Sequence, residues 1–178
     1  EKYYDMLAQD HFEFQANRAR MLYDIGMYAE SEEILLNLLN SVNKEDYEAA
    51  GVDNYAALLC LSGELYARMG IFNEAENYLT ALAERDFEKY GANKDYGYTL
   101  LLLGNVYADQ KAYSKADSLF EDALEIIETE IGKSNLDYAD VLNAKGKLQL
   151  IQGNFYTAKE NLSEVLEIID KYQFDYKM

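Results

Sequence analysis

Along residues 113–131 the apolar side chains Leu119, Phe120, Ala123, Leu124, Ile126, Ile127 and Ile131 fall at steps that keep one helix face. Glu121, Asp122, Glu125 and Glu128 occupy the other side. This pattern describes a helix with one broad buried stripe and a solvated acidic back. Similar periodicity elsewhere predicts helices near 12–25, 28–40, 54–69, 72–90, 96–110, 113–131, 137–152 and 155–171. The segment 1–10 reads as a helix that continues into, or precedes, the first pair. Proline, the strongest helix breaker, is absent from all 178 residues. The expected fold class is all-α.

The helices recur as pairs. Three copies align as Leu59, Gly63, Tyr66, Gly70, Phe72, Ala75, Leu79, Leu82; as Leu100, Gly104, Tyr107, Tyr113, Ala116, Phe120, Ala123; and as Leu142, Gly146, Gly153, Phe155, Ala158, Leu162, Val165. A weaker first copy reads Ala19, Leu22, Gly26, Tyr28, Ser31, Leu35, Leu38. The anchors Ala19, Gly63, Gly104 and Gly146 lie 44, 41 and 42 residues apart. A small residue at each anchor lets two helices approach closely, and Ser31, Ala75, Ala116 and Ala158, twelve positions later, do the same from the opposite helix. Gly26, Gly70 and Gly153 stand where the first helix of a pair stops, which favours a left-handed residue. The third copy has Gln110-Lys111 there, a less clearly marked turn.

A second punctuation separates the pairs: Gly51-Val-Asp-Asn-Tyr55, Gly91-Ala-Asn-Lys-Asp-Tyr96 and Gly132-Lys-Ser-Asn-Leu-Asp-Tyr138. Glycine ends one helix, and the Asn or Asp just before the tyrosine is expected to cap the next. The repeat domain is therefore taken as 11–178, with repeats near 12–50, 54–91, 96–132 and 137–172.

These anchors resemble the tetratricopeptide repeat (TPR) family: a large apolar residue, then Leu-Gly, Tyr, Ala and Phe at fixed offsets. The third copy carries the likeness best, through Leu103-Gly104, Tyr107, Ala116, Phe120 and Ala123. The spacing exceeds the usual length of about 34 residues. With Gly132 to Asp137-Tyr138-Ala139 between units, it resembles the kinesin-light-chain kind, found in bacterial signalling proteins. The resemblance spans about residues 12–172 and implies a right-handed α-solenoid of about four antiparallel helix pairs. Two departures stand out. No proline closes any repeat, and the asparagines that light-chain repeats carry on the groove side survive only at the end repeats. The four pairs of positions are Ala16-Asn17, Cys60-Leu61, Leu101-Leu102 and Asn143-Ala144.

First helices line the concave side of such a stack. Counting from each anchor predicts a partner-binding groove of Glu13, Asn17, Arg20 and Asp24; Ala57, Leu61, Glu64 and Arg68; Tyr98, Leu102, Asn105 and Asp109; and Asp140, Asn143, Lys147 and Ile151. Its apolar members, Leu61, Tyr98, Leu102 and Ile151, suit a ligand with one or two hydrophobic anchors, such as an amphipathic helix or an extended segment. Arg20, Asn105 and Lys147 are too dispersed for a carboxylate clamp of the chaperone-binding kind.

Charge narrows the partners. The net charge of −17 disfavours nucleic acid and anionic membranes, whose phosphates it repels. Most acids fall on second helices, among them Glu30, Glu33, Glu74, Glu121, Glu125, Glu160 and Glu167, so much of that charge reads as a solvated outer face. No apolar run approaches the roughly 20 residues that span a bilayer. The sequence shows no charged-then-apolar leader of the signal-peptide kind, but its start on Glu1 and end on Met178 suggest an excised or processed piece; a cytoplasmic location is expected.

His11 is the only histidine and Cys60 the only cysteine, so neither a metal cluster nor a disulfide framework is expected. No nucleophile motif or phosphate-cradling loop appears, and no catalytic residue, cofactor or enzymatic activity is assigned. The expected function is a protein-interaction scaffold that binds a peptide or partner helix in its groove. The alternatives are a regulatory arm of a larger bacterial signalling enzyme, such as a kinase or caspase-like peptidase, and self-association through the ends of the array, where Ile168, Phe174 and Tyr176 lie.

Overall fold

A computed structural model describes the backbone of residues 2–41 and 54–175 and the side chains of 11–41 and 55–172. Eight helices occur among the described residues: α1 (Lys2–Asp24), α2 (Tyr28–Ser41), α3 (Asn54–Arg68), α4 (Phe72–Tyr90), α5 (Lys94–Asp109), α6 (Tyr113–Ile131), α7 (Leu136–Ile151) and α8 (Phe155–Asp175). Residues 2–10 belong to the same helix as the first anchor, since α1 runs unbroken to Asp24. The chain packs as two units, residues 1–82 and 83–178, divided inside α4.

In the first unit, Phe12, Ala19, Leu35, Leu38, Leu58, Leu61 and Leu65 form the core. Ala19 and Ser31 are both fully buried where α1 meets α2. The Ser31 hydroxyl donates to the Ala19 carbonyl at 2.8 Å, so the polar member of the small-residue set is satisfied within the crossing. Between α3 and α4, a Cβ on Gly63 would come within 2.5 Å of Leu79. Tyr66 stacks on Tyr78 at 5.5 Å and donates to Glu32 of α2 at 2.7 Å. Burial first, and then that carboxylate acceptor, raise the Tyr66 pKa, so this phenol stays protonated and remains a donor.

In the second unit, Leu100, Leu101, Ala116, Phe120, Ala123, Ile127, Val141, Leu142 and Leu148 make one continuous core. The α5–α6 pair closes on Gly104, where an added Cβ would overlap the ring of Phe120, itself fully buried. Gly146 and Leu162 repeat the contact between α7 and α8, with 2.9 Å available.

All four turns within pairs close alike. Met27, Ile71, Ala112 and Asn154 donate to the carbonyls of Leu22, Tyr66, Tyr107 and Gln149 at 2.8–2.9 Å, and the preceding residue donates three back. This double hydrogen bond needs a left-handed residue. Gly26, Gly70 and Gly153 supply it, and Lys111 adopts the same conformation at φ 63°. The third turn, less clearly marked in sequence, is therefore built like the others.

The capping expectation needs a shift of register. The caps of α5 and α7 are Asn93 and Asn135, whose side-chain oxygens accept from the Tyr96 and Tyr138 amides at 2.9 and 2.8 Å. Asp95 and Asp137, just before the tyrosines, lie instead in the first helical turn. There a carboxylate still favours the positive end of the helix dipole. The first such junction, Gly51–Asp53, lies outside the described residues.

Two substitutions test this account. Gly104→Ala should lower stability by about 1–2 kcal/mol in urea unfolding, because overlap with Phe120 outweighs alanine's better helix propensity. Lys111→Gly should raise stability by about 0.5–1 kcal/mol, by relieving a left-handed non-glycine residue.

Candidate functional site

The candidate site residues fall on first helices and are described unit by unit. In the first unit, Asn17, Arg20 and Asp24 are exposed along α1, at steps of three and four that keep them on one face. On α3, Arg68 is exposed and Glu64 half-buried. Leu61 does not offer groove surface: it is 5% exposed and packs with Leu58 and Leu65 in the core. The reason is its place on α3, where its side chain turns into the α1–α2 pair.

The polar groups of this face engage one another. Arg20 of α1 forms a 2.5 Å ion pair with Glu64 of α3, and Arg68 donates to the Tyr23 hydroxyl at 3.3 Å. Arg20 also lies 5.7 Å from the Tyr23 ring centroid. Partial burial works against the Arg20 charge, but Glu64 more than offsets it and raises the pKa. Tyr23, which the repeat count did not mark, is thus the hub of the face. Its signal in the sequence was its position three residues after Arg20.

The second unit presents a different face. Tyr98, Asn105 and Asp109 are exposed on α5 and Leu102 is half-buried, all at steps of three or four. The neighbouring first helix, α7, packs beside α5 and carries exposed Asp140, Lys147 and Ile151 with half-buried Asn143. Loss of solvent around its carboxylate, and then the like charge of Asp137, raise the Asp140 pKa; Lys147 opposes both. The charged form of Asp140 is therefore one that a ligand cation would stabilise. Among the described residues this face combines an aromatic, two aliphatics, two amides and charges of both signs.

A further feature escaped the repeat count. His11, Gln15 and Arg18, on one face of α1, line an open cleft with Glu30, Glu33 and Asn37 of α2. The 11–15–18 spacing was the available signal. Cys60 is half-buried on α3. Among the described residues no three His, Cys, Asp or Glu side chains gather as a metal site, and no helix is long and apolar enough to cross a membrane.

The tetratricopeptide repeat family model matches residues 95–171. No curated protein matches the chain in sequence. Among solved structures, the fold is similar to BtubC (BKLC) from P. vanneervenii, at 17% identity and a TM-score of 0.69, over 86% of this chain and 60% of that one. It is similar to the MamA RS-1 ArsTM double mutant, at 15% identity and 0.61, covering 96% and 82%. A kinesin-light-chain protein of Podosopora anserina with nearly identical TPR-like repeats gives 15% and 0.58, covering 92% and 97%. The chain thus spans about three-fifths of the length of BtubC. At these identities the structural likeness concerns the fold. Residues 95–171 thus match the tetratricopeptide repeat family, and the all-α fold along most of the chain is similar to that of solved TPR-like repeat structures.

Proposed function

We infer that this protein is an interaction scaffold whose α5–α7 face takes a peptide or partner helix carrying an apolar anchor and a basic side chain. Tetratricopeptide folds generally mediate protein–protein contacts. The observation that carries the finer reading is the juxtaposition on adjacent first helices of Tyr98, Leu102 and Asn105 with Asp140, Asn143 and Lys147. Tyr98 and Leu102 supply rigid apolar area for one anchor. Asn105 and Asn143 supply donors and acceptors for a ligand backbone. Asp140 supplies the acid for a cation. Ile151 and Asp109 stand at the ends of the two helical stripes.

The first unit's face plays a lesser part in this reading. Its cations are already paired, Arg20 with Glu64 and Arg68 with Tyr23, so a ligand carboxylate would have to displace those partners. The exposed second-helix acids Glu121, Asp122 and Glu125 act mainly as a solvated face.

Selection from a displayed peptide library on the whole chain should enrich sequences with a basic residue near an aromatic or aliphatic one. Tyr98→Ala/Leu102→Ala should weaken the selected peptides by about tenfold or more, with helicity retained by circular dichroism. Glu121→Gln/Glu125→Gln should leave their affinity unchanged. Equal binding by the groove variant would overturn the assignment.

Asp140→Asn provides an independent check. Because the folded-state pKa of Asp140 is raised, its ionisation disfavours the fold as pH climbs through that pKa. At pH near 7 the variant should therefore melt no lower than the parent. It should nevertheless bind the basic peptides a few-fold more weakly and with less salt dependence. A lower melting temperature would contradict the electrostatic argument.

A further inference from the structure

The repeat sets the two first helices of the second unit in register, because Gly104 and Gly146 lie 42 positions apart. Tyr98 on α5 is level with Asp140 on α7, Asn105 with Lys147, and Asp109 with Ile151. Side chains that share a level on neighbouring first helices can reach each other. In the first unit Arg20 and Glu64, the equivalents of Asn105 and Lys147, meet at 2.5 Å across α1 and α3. The second unit keeps a cation at that level and has no acid opposite it. Among the described residues, the Lys147 side chain makes no ion pair, and those of Asn105 and Asn143 make no hydrogen bond.

The acids of α7 stand at its other end, where Asp137 and Asp140 are both exposed. From Asp140 to Lys147 is seven residues, about 10 Å along the helix and too far for an ion pair. Lys147 is still near enough to oppose the upward shift of the Asp140 pKa that burial and then Asp137 cause. An occupant that satisfies both ends therefore carries a cation and an anion about 10 Å apart. The amides decide its backbone form. Asn143 lies between the two charges on α7, and Asn105 is level with Lys147 on α5. Each offers donors and an acceptor. A helical ligand has used its backbone N–H and C=O groups internally, whereas an extended one presents them along its length. At about 3.3 Å per extended residue, about 10 Å corresponds to three residues, and long basic side chains stretch this to four.

We propose that the occupant of the α5–α7 face is an extended bipolar segment, with a basic side chain on Asp140 and an acidic one, three or four residues away, on Lys147 and Asn105. This rests on the α5–α7 face being the binding face, and adds the sign and spacing of the ligand's charges. The net charge of −17 attracts basic segments of every kind at long range. Lys147 is the element that selects among them, because a purely basic segment sets a like charge against it.

The test titrates the whole chain, by fluorescence anisotropy, with synthetic peptides that each carry one arginine, one aromatic residue and one glutamate. The glutamate is stepped along the peptide relative to the arginine. Affinity should peak with the glutamate three or four positions away, about fivefold above a peptide with glutamine there. Lys147→Glu should abolish that peak, and a lysine in place of the peptide's glutamate should restore binding to this variant. Asp140→Lys/Lys147→Glu should prefer the peptide in which arginine and glutamate are exchanged. Circular dichroism checks that both variants keep their helices. A glutamate effect that is absent, or that survives Lys147→Glu, would overturn the proposal; sensitivity to Tyr98→Ala/Leu102→Ala would then leave the face itself standing. A peak at seven positions would overturn the extended occupant in favour of a helix. Peptides that fail to bind, or that bind the Tyr98→Ala/Leu102→Ala variant equally well, would overturn the underlying reading of the face as well.

Discussion

The closest constraint in this molecule is the absence of a side chain where the helices of a pair cross. At Gly104 even one methyl group would overlap the Phe120 ring, and at Gly63 it would meet Leu79. Those crossings set the helix–helix distance, and the distance sets which neighbouring side chains are spent in the core. Phe120, Leu79 and Leu65 are almost wholly buried as a result. What remains outside on first helices is the polar and aromatic set from which the candidate face is made. A packing rule within each pair thus determines the chemistry available on its surface.

Electrostatics then separates the two units. In the first, Arg20 and Glu64 neutralise each other across α1 and α3, and the arrangement holds two first helices side by side. In the second, the one ion-pair cluster of α6 and α7 among the described residues centres on Lys145, which lies on the second-helix side of α7. It fixes α7 against α6 while leaving Asp140 and Lys147 on the exposed stripe. The same kind of charged contact is structural in one unit and leaves chemistry available in the other.

Much of this was legible in the sequence. The anchors Gly104, Ala116 and Phe120 and the stop at Gly153 identify helix pairs because each answers a steric demand that few residues meet. The direction of individual side chains was less legible. Leu61 occupies a counted groove position yet turns inward, since α3 packs against both α1 and α2 and has little first-helix surface left. Asn93 and Asn135, rather than the acids beside the tyrosines, cap their helices, because a cap must reach an amide three residues ahead. Lys111 shows the limit of glycine as a marker: the hydrogen bonds of the turn impose a left-handed residue even where the sequence supplies a lysine. Tyr23 escaped because its role depends on Arg68, 45 residues away.

The most direct test of the central claim is a backbone amide NMR titration of the whole chain with a peptide carrying a basic and an aromatic residue, chosen for binding. The account predicts that shift changes concentrate on α5 and α7, around Tyr98, Leu102, Asn105, Asp140 and Lys147, with α6 little affected. Changes concentrated instead on Glu121, Asp122 and Glu125 of α6 would contradict it and place recognition on the acidic second-helix face.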